Sequence, residues 1–218
     1  MKTIFALWGV RDLLAADLAA RLPGSAAVQA NVSDAAVEKA MLRITTFDAP
    51  VQAVVSVWWA ADPESAVTER VLGTVAERVA GWHVEEVTPI PLPGVAPLER
   101  APGLSNIAFL RKPDDLPHAE WLDRWRIHHT PVAIETQATF GYVQNLVTGP
   151  ATDDAPAIAG IVEELFPIEA LTDPHAFYGS GGDDAELARR VDRLMTSVAT
   201  FGGDRNLDVV PTSRYRLR

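Results

Sequence analysis

Two adjacent histidines, His128 and His129, are the side chains of this chain best suited to proton transfer near neutral pH. They follow Trp121 and Trp125, which share one face of a helix because they are four residues apart. Helical spacing puts His128 near the centre of the tryptophan stripe and His129 on its edge, which predicts that His128 is the more buried of the two. Burying an imidazole beside indoles is unfavourable unless it has a partner or a task. We therefore take both histidines as candidate acid/base groups, with packing or helix capping as the structural alternative.

Two consecutive glutamates, Glu163 and Glu164, supply carboxylates that could orient such a histidine and raise its basicity. They lie in a predicted strand, where neighbouring side chains point to opposite faces of the sheet. One of the two therefore points inward, and the spacing leaves open which one. In the alternative, one glutamate is solvated and the other pairs with Arg111 or Lys112.

A second predicted strand carries Tyr142, Gln144 and Asn145, which offer a hydroxyl group and two amides. Tyr142 and Gln144 share one face of this strand, and Asn145 lies on the opposite face. In a mostly apolar pocket such groups hold an oxygen atom of a substrate, whereas in a plain sheet they bond across strands. We predict that these three residues bind substrate, together with Trp121 and Trp125, for which core packing is the alternative.

The sequence favours neither a metal site nor a cofactor. The chain has no cysteine, which excludes disulfides, thiolate nucleophiles and cysteine-based metal centres. Adjacent helical histidines point about 100° apart, so His128 and His129 do not chelate one ion as an i, i+4 pair would. The glycine-rich segment 179–182 matches no phosphate-binding motif and precedes two aspartates. We expect neither metal nor cofactor.

Composition narrows the range of partners. The chain has 218 residues, 48% hydrophobic residues and a formal net charge of −10, so it can bury a large core. Nucleic acids and anionic membranes need clustered basic residues, so neither is expected as a partner. No apolar run approaches the roughly 20 residues of a membrane span, and the N-terminal apolar run is too short for a signal peptide. We expect a cytoplasmic protein that binds a small hydrophobic molecule.

The chain divides into two halves with the same order of elements, β-α-β-β-α-β. In the first half (1–88) strands are predicted at 3–8, 28–33, 51–59 and 82–89, and helices at 13–22, closed by Pro23-Gly24, and from 63 to about 80. In the second half (105–218) strands are predicted at 106–111, 141–148, 157–166 and 207–217, and helices at 118–136 and 183–201. Residues 89–104 are proline-rich and predict a stiff linker.

Each half therefore predicts a ferredoxin-like unit, an α+β fold whose sheet is bare on one face. Two such units in one chain can bury those faces against each other. We expect an intramolecular barrel and leave open whether the protein is a monomer or a homodimer.

The second half resembles the EthD family of the dimeric α/β-barrel superfamily. The resemblance covers roughly residues 105–217 and rests on an ordered set of motifs: Leu110-Arg111-Lys112-Pro113, Trp121 and Trp125 leading to His129-Thr130-Pro131, Tyr142-Val143-Gln144-Asn145, and residues 160–166 followed by Glu169-Ala170-Leu171. The first half lacks the helix histidine and the Arg-Lys-Pro motif, so it looks like a degenerate copy.

The resemblance implies a barrel with a mainly apolar interior cavity walled by sheet and helix. It gives His129 the place of the family histidine, with Glu163 slightly ahead of Glu164. Members of the superfamily include lyases, isomerases, cofactor-free oxygenases and haem enzymes, so the fold does not select a reaction. We predict a cofactor-independent lyase, dehydratase or isomerase that acts on an aromatic or polyketide-like substrate. A non-catalytic metabolite-binding protein and a cofactor-free oxygenase stay open, as does haem ligation by one histidine.

Overall fold

The computed structural model describes residues 1–22 and 24–218, so the helix end predicted at Pro23 lies outside the described residues. Eight antiparallel strands form one closed barrel in the order β1-β3-β2-β8-β5-β7-β6-β4. The strands span β1 Lys2–Trp8, β2 Ser25–Val32, β3 Ala53–Trp59, β4 Arg78–Ile90, β5 Leu104–Leu110, β6 Gly141–Pro150, β7 Gly160–Phe166 and β8 Asp208–Arg216.

Each half contributes four adjacent strands, in the orders β4-β1-β3-β2 and β6-β7-β5-β8. The halves join where β2 pairs with β8 and where β4 pairs with β6. A ferredoxin-like sheet has two open edges, and each edge here bonds to an edge of the other half, which removes the exposed edges. The predicted α+β fold of two ferredoxin-like halves in one intramolecular barrel is confirmed.

The helices cover the outer face of the barrel. In the first half they are short: α1 is Leu18–Arg21 and α2 is Ser65–Leu72. In the second half a continuous helical segment comprises α3 His118–Leu122, a π-helical stretch Asp123–His129 and α4 Thr130–Thr136. Two further helices follow, α5 Pro174–Tyr178 and α6 Asp184–Thr200.

Two predicted helices of the first half are wrong in extent. The helix predicted from 63 to about 80 ends at Leu72, and β4 already begins at Arg78. Gly81 is therefore a strand glycine rather than a helix terminator, and a Cβ atom there would lie 2.5 Å from the Phe5 ring. The helix predicted at 13–22 is broken at Asp17, whose φ of +46° is left-handed.

The predicted linker begins two residues later than expected, because β4 continues to Ile90. Residues 91–103 then run across β8, to which the Leu98 and Ala101 amides donate hydrogen bonds. The Arg214 guanidinium, at the end of β8, donates to the Pro93 carbonyl at 2.9 Å. This connection is therefore packed on the barrel.

Side chains fill the inside of the barrel. One part is an apolar cluster that includes Trp8, Trp82, Ile107 and Phe109. The other part is a hydrogen-bonded polar network around Glu163.

Candidate functional site

A cavity of about 510 Å³ lies in the second half, between the outer face of the sheet and the helices. This volume is in the range of small-molecule sites. Strands β5 and β7 form its floor with Asn106, Ala108, Val162 and Glu164, and helix α6 contributes apolar side chains to its wall. The cavity is walled by sheet and helix, as the sequence analysis expected, but it lies outside the packed interior of the barrel, where the cavity was predicted.

A loop of the first half closes one side of this cavity. Leu42, Ile44 and Thr46 line it, and Ile44 exchanges two backbone hydrogen bonds with Val209 of β8. Asp208 holds the same loop, since its carboxylate accepts hydrogen bonds from the Thr46 amide at 2.6 Å and the Phe47 amide at 3.0 Å.

Arg111, from the Arg-Lys-Pro motif, anchors this loop. Its guanidinium lies 2.7 Å from the Asp208 carboxylate and 2.9 Å from the Thr46 hydroxyl. Burial by itself raises the pKa of Asp208, but the hydrogen bonds from Thr46, Phe47 and Arg111 outweigh it and lower the pKa below its usual value. Neither Glu163 nor Glu164 pairs with Arg111 or with Lys112, whose ammonium group donates to the Pro113 and Leu116 carbonyls. The motif thus has a structural role at the cavity wall.

The π-helical stretch decides which histidine reaches the cavity. A π-helix has more residues per turn than an α-helix, so the residues after Trp125 are rotated relative to α-helical spacing. His129 lines the cavity beside Trp125 and is 8% exposed. His128 points into solvent, with 70% of its side chain exposed and its Nε2 atom 3.2 Å from the Asp123 carboxylate. The prediction that His128 is the more buried histidine is wrong, because it assumed regular α-helical spacing.

His129 sits between two residues of the α6 region. Its Nδ1 atom lies 3.1 Å from the Ser197 hydroxyl, and its ring packs on Phe201 with 4.8 Å between the ring centroids. Burial lowers the pKa of His129 to about 4. The imidazole is therefore neutral at physiological pH. Within residues 1–22 and 24–218, its Nε2 atom forms no hydrogen bond.

The two tryptophans differ in their contacts. Trp125 lines the cavity and packs over Gly160, where a Cβ atom would lie 2.6 Å from the indole. Trp121 stacks on Trp125 with 4.8 Å between the centroids and is not part of the cavity wall. Gly160 therefore allows the Trp125 indole to approach the sheet. Trp121 packs against this indole without lining the cavity.

The two glutamates point to opposite sides of the sheet. Glu163 faces the barrel interior, where its carboxylate accepts hydrogen bonds from Gln29, Asn31 and Ser105 and lies 3.8 Å from Arg214. Glu164 faces the cavity. The preference for Glu163 that the family resemblance implied is wrong on geometry, because a sheet separates its carboxylate from His129.

Glu164 belongs to a row of three polar residues across the floor of the cavity. Strand register pairs Glu164 with Asn106 on one side and with Tyr142 on the other. Burial raises the pKa of Glu164 to about 7. Burial also raises the pKa of Tyr142, and the neighbouring Glu164 charge raises it further. The Glu164 carboxyl group therefore gains or loses its proton near neutral pH, whereas the neighbouring Tyr142 phenol stays protonated.

Gln144 and Asn145 lie on opposite faces of β6. The Gln144 amide donates to the Tyr142 hydroxyl at 3.1 Å and to the Thr130 hydroxyl at 2.9 Å, so it orients Tyr142 without lining the cavity. Asn145 faces the barrel interior and accepts a hydrogen bond from the Lys2 ammonium at 2.8 Å. Asn145 therefore does not line this cavity, which is on the other side of the sheet, and its predicted contact with substrate stays a prediction.

Sequence reasoning missed Asn106, Ser197 and Phe201. Asn106 is an amide residue near the centre of β5, a strand that is otherwise mostly apolar. This amide was the signal in the sequence that could have identified Asn106 as a site residue. Ser197 and Phe201 lie on and just after the long helix α6, where only the three-dimensional structure shows which turn faces His129.

Across the described ranges 1–22 and 24–218, no group of three or more acidic or histidine side chains is arranged to hold a metal ion. Over the same ranges, no helix is both long and apolar enough to cross a membrane.

No protein-family model matches the chain, and no curated protein matches it. Membership of the EthD family therefore stays a prediction. Among solved structures, an anthrone oxidase-like protein is similar with a TM-score of 0.51 and 10% identity, covering 99% of this chain and 92% of that one. At this identity the similarity shows the dimeric α/β-barrel-type fold alone.

Two other solved structures are similar at lower scores. One is a monooxygenase candidate from Lactobacillus acidophilus NCFM, with a TM-score of 0.47, 10% identity and coverage of 98% and 92% of the two chains. The other is a dye-decolorizing peroxidase from Bacteroides thetaiotaomicron VPI-5482, with a TM-score of 0.45, 9% identity and coverage of 97% and 92%.

Proposed function

We propose that this protein is a cofactor-independent enzyme that transfers protons on a small, mainly apolar substrate, as a lyase, dehydratase or isomerase does. One observation carries the proposal: a neutral His129 and a Glu164 whose pKa is about 7 line the same largely apolar cavity. Two titratable groups whose environments shift their pKa values in opposite directions are typical of acid/base sites.

His129 acts as the base. In the tautomer in which the Nδ1–H group donates to the Ser197 hydroxyl, Nε2 carries no hydrogen and can take a proton from a carbon atom of the substrate. Because the pKa of His129 is lowered to about 4, the imidazolium that forms gives its proton up readily. In an isomerisation this proton returns to another atom of the substrate. In an elimination Glu164 protonates the leaving hydroxyl group, and the proton on His129 passes to solvent before the next turnover.

Glu164 and Tyr142 act on the oxygen of the substrate. With a pKa of about 7, Glu164 is partly protonated at neutral pH and can protonate a leaving hydroxyl group. The Tyr142 oxygen already accepts a hydrogen bond from Gln144, so its own hydrogen points elsewhere and can stabilise negative charge on a substrate oxygen. Trp125 and Phe201 provide apolar walls for the carbon skeleton.

A second candidate is a binding protein that sequesters a hydrophobic metabolite. One observation favours it: His129 is hydrogen-bonded to a serine, and in the described residues no carboxylate contacts its ring. An acid/base histidine is often oriented by a carboxylate, as the sequence analysis expected of Glu163 or Glu164.

The test is turnover of hydroxylated and keto-substituted aromatic compounds by wild type, His129→Asn and the matched control His128→Asn. We expect kcat to fall about 10²–10⁴-fold in His129→Asn, because general acid/base groups contribute this much. His128→Asn should stay within a few-fold of wild type, since His128 is exposed to solvent and does not line the cavity.

Other outcomes of the same assay would support one of the alternative functions. Turnover by His129→Asn within a few-fold of wild type would remove His129 from the chemistry. Tight binding without turnover by wild type would assign the binding protein. Oxygen consumption in step with turnover would instead assign a cofactor-free oxygenase, so dissolved oxygen is recorded in each run.

A further inference from the structure

Two buried oxygen atoms on the floor of the cavity have no hydrogen-bond donor. These atoms are Asn106 Oδ1 and Glu164 Oε1, and each is fully shielded from solvent without a partner within the described residues. Asn106 as a whole is only 5% exposed. The two residues are direct cross-strand neighbours on β5 and β7, and both line the cavity. Buried acceptors are normally paired, so this pair needs an explanation.

Within the described residues, no surrounding side chain supplies the missing donor. The Gln144 amide nitrogen donates instead to the Tyr142 and Thr130 hydroxyls. The Tyr142 hydroxyl, on the other side of Glu164, forms no hydrogen bond to either oxygen, and Ala108 and Val162 carry no polar side-chain atom. A molecule that occupies the cavity can supply this donor.

The corresponding row in the first half has no such requirement. There Thr3 and Val28 flank Val57 in the same register in which Asn106 and Tyr142 flank Glu164. The Thr3 hydroxyl accepts a hydrogen bond from the Trp59 indole at 3.2 Å. The unpaired acceptors are thus a feature of the cavity and not of this position in the fold.

We propose that Asn106 and Glu164 form a recognition site for a hydroxyl group, which makes the ligand class hydroxylated, mainly apolar compounds. The hydroxyl donates to the acceptor pair while the apolar skeleton lies against Ala108, Val162 and the α6 side chains Leu194 and Val198. The inference rests on the proposed function for its choice of cavity. It adds Asn106 as a residue that determines specificity.

The probes are 2-naphthol and 2-methoxynaphthalene, which share the ring system and differ in the presence of a hydroxyl donor. Affinities are measured by calorimetry or by quenching of tryptophan fluorescence. We expect wild type to bind 2-naphthol at least tenfold more tightly, because only the hydroxyl satisfies the buried acceptors. In Asn106→Leu, which keeps the shape but removes the acceptor, the preference should fall to less than threefold.

Two controls make the result specific. An unchanged affinity of Asn106→Leu for 2-methoxynaphthalene shows that the cavity is intact, and Asn106→Ala replaces this variant if it fails to fold. His129→Asn should retain the preference for 2-naphthol, because the acceptor pair does not include the imidazole.

Three results would overturn the inference. They are equal affinities of wild type for both probes, binding of neither probe, and a preference that survives in Asn106→Leu but is lost in His129→Asn. Each is distinct from failure of the proposed function, which would show as unchanged turnover in His129→Asn. A protein can keep its preference for the hydroxyl and still lack the proposed catalysis.

Discussion

The two halves of the barrel share one topology but differ in what covers the outer face of their sheets. In the first half, Phe5 lies opposite Val55 on β3 and Gly81 on β4. At the equivalent place in the second half, Ala108 lies opposite Val162 on β7 and Val209 on β8. Phe5 is completely buried, whereas Ala108 is accessible from the cavity. The Phe5 ring of the first half thus fills the space that corresponds to the cavity over Ala108 in the second half.

The helices show the same contrast. Short helices in the first half pack their leucines directly on the sheet, and Leu18, Leu22 and Leu72 are at most 1% exposed. The second half has the longer helix α6 and the π-helical stretch, which brings His129 to the cavity. The comparison indicates that a cavity forms on a ferredoxin-like sheet where the helices leave space above the sheet. In this cavity, polar residues take the places that valine and threonine occupy on the outer face of the first-half sheet.

Phe5→Ala should have the largest effect on stability. It removes a buried ring from the first half, and Phe→Ala substitutions in cores cost about 3–5 kcal/mol. Urea unfolding monitored by circular dichroism measures this cost, with the partly exposed Phe140→Ala as control. A loss below about 1 kcal/mol would mean that the first half is not packed around Phe5.

Glu163→Gln and Glu164→Gln should affect stability in opposite directions. Glu163 accepts several buried hydrogen bonds beside Arg214, so removing its charge should destabilise the fold by about 3 kcal/mol. Glu164 has no such partner, and its neutral replacement should stabilise the fold at pH 8. Chemical denaturation of both variants measures the difference, and equal losses would contradict the assignment of opposite faces.

The pH dependence of stability should identify Glu164. Its pKa is about 7 in the folded protein against the ordinary value of 4.5, so the folded state holds its proton at higher pH than the unfolded state does. Stability contributed by this group is therefore fully present below pH 4.5 and is lost as pH rises through 7. The advantage of Glu164→Gln over wild type should grow across this window to about 3 kcal/mol. A constant difference from pH 4 to pH 8 would contradict the raised pKa.

Ala108→Phe should convert the second half toward the first. The added ring fills the cavity, so affinity for 2-naphthol should fall at least about 100-fold while the fold persists. Ala188→Phe, on the exposed face of α6, is the matched control and should bind like wild type. Unchanged binding by Ala108→Phe would place the ligand elsewhere.

Ser197→Ala should have the smallest effect. It removes the hydroxyl that contacts His129 Nδ1 and should lower kcat by about tenfold or less, since one hydrogen bond contributes about 0.5–1.5 kcal/mol. KM should stay near the wild-type value. The neighbouring Thr196→Ala is the control, because Thr196 is exposed. A kcat equal to that of wild type would show that Ser197 does not position the ring.

The sequence predicted the fold better than the site. Alternating β-branched strands and a repeated order of elements were enough for the two halves, because those patterns depend on local periodicity. The orientation of His128 and His129 was not predictable, since a π-helical stretch breaks the regular spacing. The directions of Glu163 and Glu164 depend on which face of the sheet is covered, which periodicity alone does not specify.

The central claim is that a ligand binds between sheet and helices in the second half, and neither inside the barrel nor in the first half. Tryptophan indole N–H signals in a ¹H–¹⁵N spectrum report all three places, with Trp125 in the cavity, Trp8 and Trp82 inside the barrel, and Trp59 in the first-half core. On titration with 2-naphthol, we predict that the Trp125 signal shifts and the other three stay in place. A shift of Trp8, Trp82 or Trp59 without a shift of Trp125 would contradict the account.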